Sequence, residues 1–133
     1  MIKSYSKLTL KEKEDLREKL RSKTPEKKCH YCEIDKDDFQ KIWGDEFYGK
    51  GSRGRRLEID HIDATKKEID LENPDLNNLV FACALCNMAK SNMFYYDEFK
   101  KVGTVIKEIW QEREKSGRPP LSRKSKLQAK MKN

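Results

Sequence analysis

Residues 83–90 read Cys83-Ala84-Leu85-Cys86-Asn87-Met88-Ala89-Lys90, and this stretch decides how the rest of the chain is read. An upstream pair, Cys29-His30-Tyr31-Cys32, has the same spacing. Two residues between cysteines let a tight turn aim both sulfurs at one metal. Two such pairs supply the four thiolates of a closed, tetrahedral, structural zinc site. A metal held by Cys29, Cys32, Cys83 and Cys86 would close a long loop and bring distant segments together. The alternative is four unrelated buried thiols, which the paired spacing argues against. His30, inside the first knuckle, reads as packed or solvent-facing rather than as a ligand.

The size of the chain, 133 residues, predicts one domain with room for extensions. With 40% charged and 35% hydrophobic residues, the core is modest and a structural metal would help define it. No apolar run approaches the ~18 residues of a membrane span. The Lys-rich start lacks the apolar stretch of a signal peptide. In a cytosolic setting, where disulfides are rare, four cysteines read as zinc ligands rather than as disulfides.

The net charge of +7 is unevenly spread. Residues 1–28 carry ten Lys/Arg against five acids, and residues 115–133 carry seven and none, whereas residues 57–114 carry seven against twelve. Basic ends suit a polyanion such as nucleic acid, and an acidic centre suits a divalent cation. A solubilising surface with a disordered tail accounts for the charge pattern equally well. We therefore divide the chain into a basic helical extension (1–28), a central domain (29–116) and a basic tail (117–133).

Local patterns predict the elements. Thr9 and Glu12 form a capping box for a helix over 9–23, with Leu10, Leu16 and Leu20 as its apolar stripe, and Thr24-Pro25 ends it. Asp35 caps a short helix over 35–43 that carries Phe39, Ile42 and Trp43 on one face. Residues 44–56, with four glycines and Arg53, Arg55 and Arg56, read as a flexible basic loop. Short strands are expected at 57–60 and 79–82, joined by a polar loop. A helix around 84–90 and a longer one over 97–115 follow. The longer helix carries Phe99, Val102, Ile106, Ile109 and Trp110 at helical spacing, is weakened slightly by Gly103, and stops at Gly117.

Between the knuckles lies Leu57-Glu58-Ile59-Asp60-His61-Ile62. Asp60 is a hard oxygen ligand, and Asn87 offers a neutral one on a helix. Magnesium takes few protein ligands and keeps waters and phosphate oxygens, so the two leave it room. His61, neutral near pH 7, suits a general base. Asn78, which both donates and accepts, suits a brace for the loop around His61. One difficulty is geometric: in a regular strand Asp60 and His61 point to opposite faces, so the strand must end or bend there. Glu58, on the side of Asp60, either orients the site or faces solvent. Taken singly, each residue has an ordinary explanation as a surface pair, a turn residue or a cap.

Taken together, Cys29-x-x-Cys32, Glu58-Ile59-Asp60-His61-Ile62, Asn78-Leu79-Val80 and Cys83-x-x-Cys86-Asn87-x-x-Lys90-Ser91-Asn92 resemble the HNH endonuclease superfamily in its zinc-bound ββα-metal form. The resemblance covers about residues 29–110 and extends to small HNH restriction endonucleases. It implies an α+β fold, a small zinc-stabilised ββα-metal core with flanking helices. It also implies metal-assisted hydrolysis of DNA. Asp60 and Asn87 would hold the catalytic Mg²⁺ or Mn²⁺, and His61 would be the general base. Asn78 would be the structural middle asparagine, and the four cysteines would hold zinc. Lys90 would lie near the scissile phosphate or stabilise the site. Asn87 stands where many members have His, which favours magnesium or manganese. Arg53, Arg55, Arg56 and Lys90 are the expected nucleic-acid contacts. Double-strand cleavage would call for a homodimer. The rivals are a non-catalytic zinc-stabilised nucleic-acid-binding module and an inactive partner subunit. The bacterial or phage-infected cytoplasm is the expected setting.

Overall fold

The structure is a computed structural model, and it describes residues 1–44 and 56–121. Four short strands, β1 (Ile2–Ser4), β2 (Glu58–His61), β3 (Glu68–Asp70) and β4 (Leu79–Ala82), form two antiparallel pairs. Helices α1 (Leu10–Lys23), α2 (Phe39–Trp43), α3 (Ala84–Lys90) and α4 (Tyr96–Ser116) surround them. The fold is α+β. Its centre is β2, β4 and α3, a ββα unit.

The β2–β4 ladder runs from Glu58↔Ala82 to His61↔Leu79. Leu57, Ile59, Leu79 and Phe81 are all buried and anchor that ladder in the core. The first knuckle joins it directly, because the His30 amide donates to the Phe81 carbonyl at 2.8 Å. Cys83 is the N-cap of α3, so the second knuckle is the turn from strand into helix.

The Thr9–Glu12 capping box is formed, and α1 buries Leu16 and Leu20. Leu10 does not belong to that stripe. It is the first helical residue and is exposed, and Leu8, two residues earlier, is buried instead. Asp35 caps a turn of 3₁₀ helix at Lys36–Asp38, and α2 proper begins only at Phe39.

On α4, Phe99 is fully buried and Val102, Ile106 and Trp110 pack on the core, but Ile109 is exposed. Gly103 takes a buried place on that face. A Cβ on Gly103 would lie 2.6 Å from the Tyr31 carbonyl oxygen, so glycine lets the helix touch the first knuckle. Gly117, at φ +66, ends α4 in the left-handed conformation.

The β1–β3 pair was not expected from the sequence. It turns part of the polar loop after His61 into a strand, matching Ile2↔Asp70 and Ser4↔Glu68. Each strand has three residues and no alternating apolar pattern long enough to announce it. The pairing carries the N-terminal segment to the edge of the ββα unit.

Candidate active site

The four cysteines converge as the spacing predicts. Their ligand atoms all lie within 4.8 Å of one another, and all four residues are buried. The Cys32 and Cys83 sulfurs are 3.8 Å apart. A tetrahedron with metal–sulfur bonds of about 2.3 Å has edges of about 3.8 Å, whereas a disulfide needs about 2.05 Å. The residues therefore fit zinc. Hydrogen bonding to Cys29, with burial adding, pushes the Cys83 and Cys86 thiols far up, while contacts to Cys32 first push Cys29 down. A cation held by the four sulfurs would replace their protons. The Cys86 amide points at the Cys83 sulfur at 3.4 Å, and Glu33, at φ 62, turns the chain out of the first knuckle.

A second cluster lies beside the first. Asp60 and His61 on β2 and Asn87 on α3 line one cavity of about 260 Å³, together with Tyr5, Lys67 and Ser91. The difficulty of opposite strand faces is met because β2 ends at His61. The next amide, of Ile62, bonds the Asn78 carbonyl at 2.8 Å and the chain bends away.

Each side chain in this cluster is held in a specific way. The Asp60 Oδ2 accepts the Tyr31 hydroxyl at 2.5 Å and lies 3.2 Å from the Lys90 ammonium. Burial first, and then the bond to Asp60, push the Tyr31 phenol far above its usual range, so it stays a neutral donor. The Asn87 amide nitrogen donates to Glu58 Oε1 at 2.8 Å, which turns its carbonyl oxygen away from Glu58. His61 packs edge-on against Tyr5, with ring centroids 5.1 Å apart. Its Nε2 is buried and has no hydrogen-bond partner among the described residues. Burial is the main cause that lowers the His61 pKa below its ordinary value. Lys67 and Lys90 push the same way against the opposing charge of Asp60. The ring is therefore neutral near pH 7 and able to accept a proton.

Asn78 stands outside the cavity wall but ties the loop that follows His61. Its Oδ1 accepts from the Asp63 amide at 2.8 Å, and its Nδ2 donates to the Lys66 carbonyl at 3.1 Å. Both halves of the amide are used, as a brace requires.

The expected nucleic-acid contacts fare differently. Arg53 and Arg55 lie outside the described residues. Arg56 is partly exposed, pairs with Glu14 at 3.4 Å, and lines a separate cavity with Lys13 and Arg17. Lys90 is not a surface contact. Its side chain is 0% exposed, and its ammonium is engaged by Asp60 and by the His61 carbonyl at 2.8 Å. A phosphate outside cannot reach it, so its place is within the frame of the site.

Two partners went unassigned in the sequence. Glu58 was marked by its i−2 relation to Asp60, with its role left open. Tyr31 carried no signal, because nothing in a knuckle residue announces a carboxylate partner 29 positions away.

The family model described as HNH endonuclease matches residues 29–93. That segment holds both knuckles, the ββα unit, and Asp60, His61 and Asn87 of the second cluster, but not Tyr5. Among solved structures, the chain is similar to the rare-cutting HNH restriction endonuclease PacI, whose structure was reported for its mechanism of DNA perturbation. The likeness has a TM-score of 0.52 and 26% identity over 65% of this chain. It spans 56% of that protein's chain. No curated protein matches significantly. Among the described residues, no helix is long and apolar enough to cross a membrane.

Proposed function

We propose that this chain, whose residues 29–93 match the HNH endonuclease family model, is a metal-dependent endonuclease that hydrolyses phosphodiester bonds in DNA. The observation that carries the reading is the meeting of Asp60, His61 and Asn87, from two elements, on one cavity beside a four-cysteine cluster. DNA is the substrate class implied by the family and by the likeness to PacI, and it suits the basic chain ends.

In this reading His61 is the general base. A neutral imidazole in the wall of that cavity can take the proton of an attacking water. Asp60, through Oδ1, and Asn87, through its amide oxygen, would hold Mg²⁺ or Mn²⁺, hard ions that accept few protein oxygens. When bound, such an ion supplies charge neutralisation for the phosphate and the leaving oxygen. Glu58 sets the rotamer of Asn87, and Asn78 holds the loop that carries the chain away from His61. The four cysteines would hold a structural zinc. Arg53, Arg55 and Arg56 are proposed contacts to the DNA backbone. A homodimer would be needed if both strands are cut, because one site of this kind cuts one strand.

The test is cleavage of a plasmid and of a diverse set of duplexes, with mapping of the ends, by wild type and His61→Ala. Removal of a general base typically costs about 10²–10⁴ in rate. Wild-type cleavage that depends on Mg²⁺ or Mn²⁺, and falls by that much in the variant, is expected. Equal cleavage by the two proteins overturns the assignment, and so does an inert wild type across metals and substrates. Those outcomes would return the chain to a zinc-stabilised binding module.

A further inference from the structure

We propose that Tyr31 is a positioning residue for the catalytic metal site, fixing the Asp60 carboxylate so that Oδ1 faces the divalent ion. This rests on the nuclease reading of Asp60 and extends it to a residue of the zinc knuckle.

Asp60 has two oxygens in unequal surroundings. Oδ2 takes the Tyr31 hydroxyl at 2.5 Å and the Lys90 ammonium at 3.2 Å. Oδ1 accepts no hydrogen bond among the described residues. A hydrogen bond and an ion pair on one oxygen oppose rotation of the carboxylate, and they leave the other oxygen as the one available to a cation. The two partners are not equivalent. Lys90 already balances the charge of Asp60, so charge neutrality does not call for a second donor. A neutral hydroxyl can orient the carboxylate without adding positive charge that would compete with a dication. Groups that orient a metal ligand in this way typically govern affinity by about 10- to 100-fold.

Tyr31 is suited to the task because it is itself immobile. It is buried, and its ring stands edge-on to Phe99, with centroids 5.0 Å apart, and to Tyr96 at 6.0 Å. Its backbone is pressed by α4 at Gly103, and the next carbonyl, of Cys32, accepts the Trp110 indole N–H at 3.1 Å. The residues on either side of the His30–Tyr31 pair are cysteines of the cluster. The hydroxyl is thus as well placed as the zinc knuckle, and that precision passes to Asp60.

The experiment is Mn²⁺ binding to the DNA-free, zinc-loaded protein, by calorimetry or by the electron paramagnetic signal of free Mn²⁺. Wild type, Tyr31→Phe and Asp60→Asn are compared. Phenylalanine keeps the ring and deletes only the hydroxyl. We expect Tyr31→Phe to keep one zinc per chain and to bind Mn²⁺ about 10- to 100-fold more weakly. The Mn²⁺ concentration for half-maximal cleavage should rise in step, with a smaller change in kcat at saturating metal. In the Asp60→Asn background, adding Tyr31→Phe should cost little more, because Tyr31 acts through Asp60.

Wild-type Mn²⁺ affinity in Tyr31→Phe, with Asp60→Asn impaired, overturns the role of Tyr31 and leaves the nuclease reading standing. Equal binding by wild type and Asp60→Asn overturns the metal site itself and this proposal with it. If Tyr31→Phe loses its zinc, the wild-type protein answers alone. The hydroxyl proton held on Asp60 should give a downfield proton resonance that shifts on addition of Mg²⁺. A resonance indifferent to Mg²⁺ overturns the proposal.

Discussion

At the scale of single residues, Lys90 shows how the site is built from the inside. An ammonium without solvent contact is tolerated only where other groups replace its hydration. Here Asp60 and the His61 carbonyl do so. Three residues earlier on the same helix, Asn87 lines the cavity, so α3 offers one residue to the site and uses the next turn to hold the strand behind it. Lys90 pins both neighbours in β2, one by its side chain and one by its backbone. Breaking a buried ion pair from one side leaves an uncompensated charge, so Lys90→Ala should cost about 3–5 kcal/mol. Chemical denaturation with zinc saturating measures this. The double variant Asp60→Asn, Lys90→Met should recover much of the loss, because no lone charge remains. A cost below about 1 kcal/mol for Lys90→Ala would mean that water reaches the pair.

At the scale of elements, α4 lies wholly beyond the segment matched by the family model, yet it fixes the first knuckle. It does so through Phe99 on the Tyr31 ring, Gly103 on the Tyr31 backbone and Trp110 on the Cys32 carbonyl. Helix propensity alone says that alanine at 103 should stabilise by about 1 kcal/mol. The contact says the opposite. The new Cβ would lie 2.6 Å from the Tyr31 oxygen and 2.7 Å from its carbonyl carbon, both backbone atoms of a knuckle with little freedom to move. Overpacking of this kind costs about 1–3 kcal/mol, so Gly103→Ala should lower the melting temperature and loosen zinc retention. Gly117→Ala is the comparison. It meets nothing within 4 Å but holds φ +66, so it should cost about 1 kcal/mol through backbone strain alone and leave zinc untouched. A more stable Gly103→Ala would show that α4 does not press on the knuckle.

At the scale of the whole molecule, what could be read from the sequence was what short spacing determines. The Cys-x-x-Cys pairs, the short strands expected at 57–60 and 79–82, and the Thr9–Glu12 box each carry their meaning within a few residues, and each stands in the structure, the first strand shifted by one residue. What could not be read depends on distant partners. The resemblance puts Lys90 near the phosphate or in support of the site, but its partners, Asp60 and the His61 carbonyl, are not legible until β2 is laid against the helix. Tyr31 reads as knuckle filler until Asp60 arrives from 29 positions away. The β1–β3 ladder joins Ile2 to Asp70 through three-residue strands, too short for a pattern to emerge. The bend that lets Asp60 and His61 share a cavity was a requirement of the sequence reading, and its cause, the end of β2 at His61, is tertiary.

Those distant partnerships depend on one junction. The cysteine cluster joins residues 29–32 to 83–86, and through it the Tyr31–Asp60 bond, the seat of α4 and the start of α3 are held together. The apolar core around it is small for a chain this charged, so the metal should be a large share of the stability rather than an ornament. We therefore expect one zinc per chain, retained through dialysis against a weak chelator. Removal by a strong chelator should unfold the domain cooperatively, and the loss should be reversed by adding zinc. Trp110 gives an internal reporter. Its indole N–H bonds the Cys32 carbonyl, so its fluorescence should shift to longer wavelength as zinc leaves, in step with the loss of helical circular dichroism. Cys83→Ser should reproduce the apo behaviour even with zinc in excess, since the cluster would lose a thiolate ligand while α3 keeps an N-cap acceptor. A folded, zinc-free protein with an unshifted Trp110 signal would overturn this view. The core would then hold the knuckles without a metal, and the cysteine geometry would need another explanation.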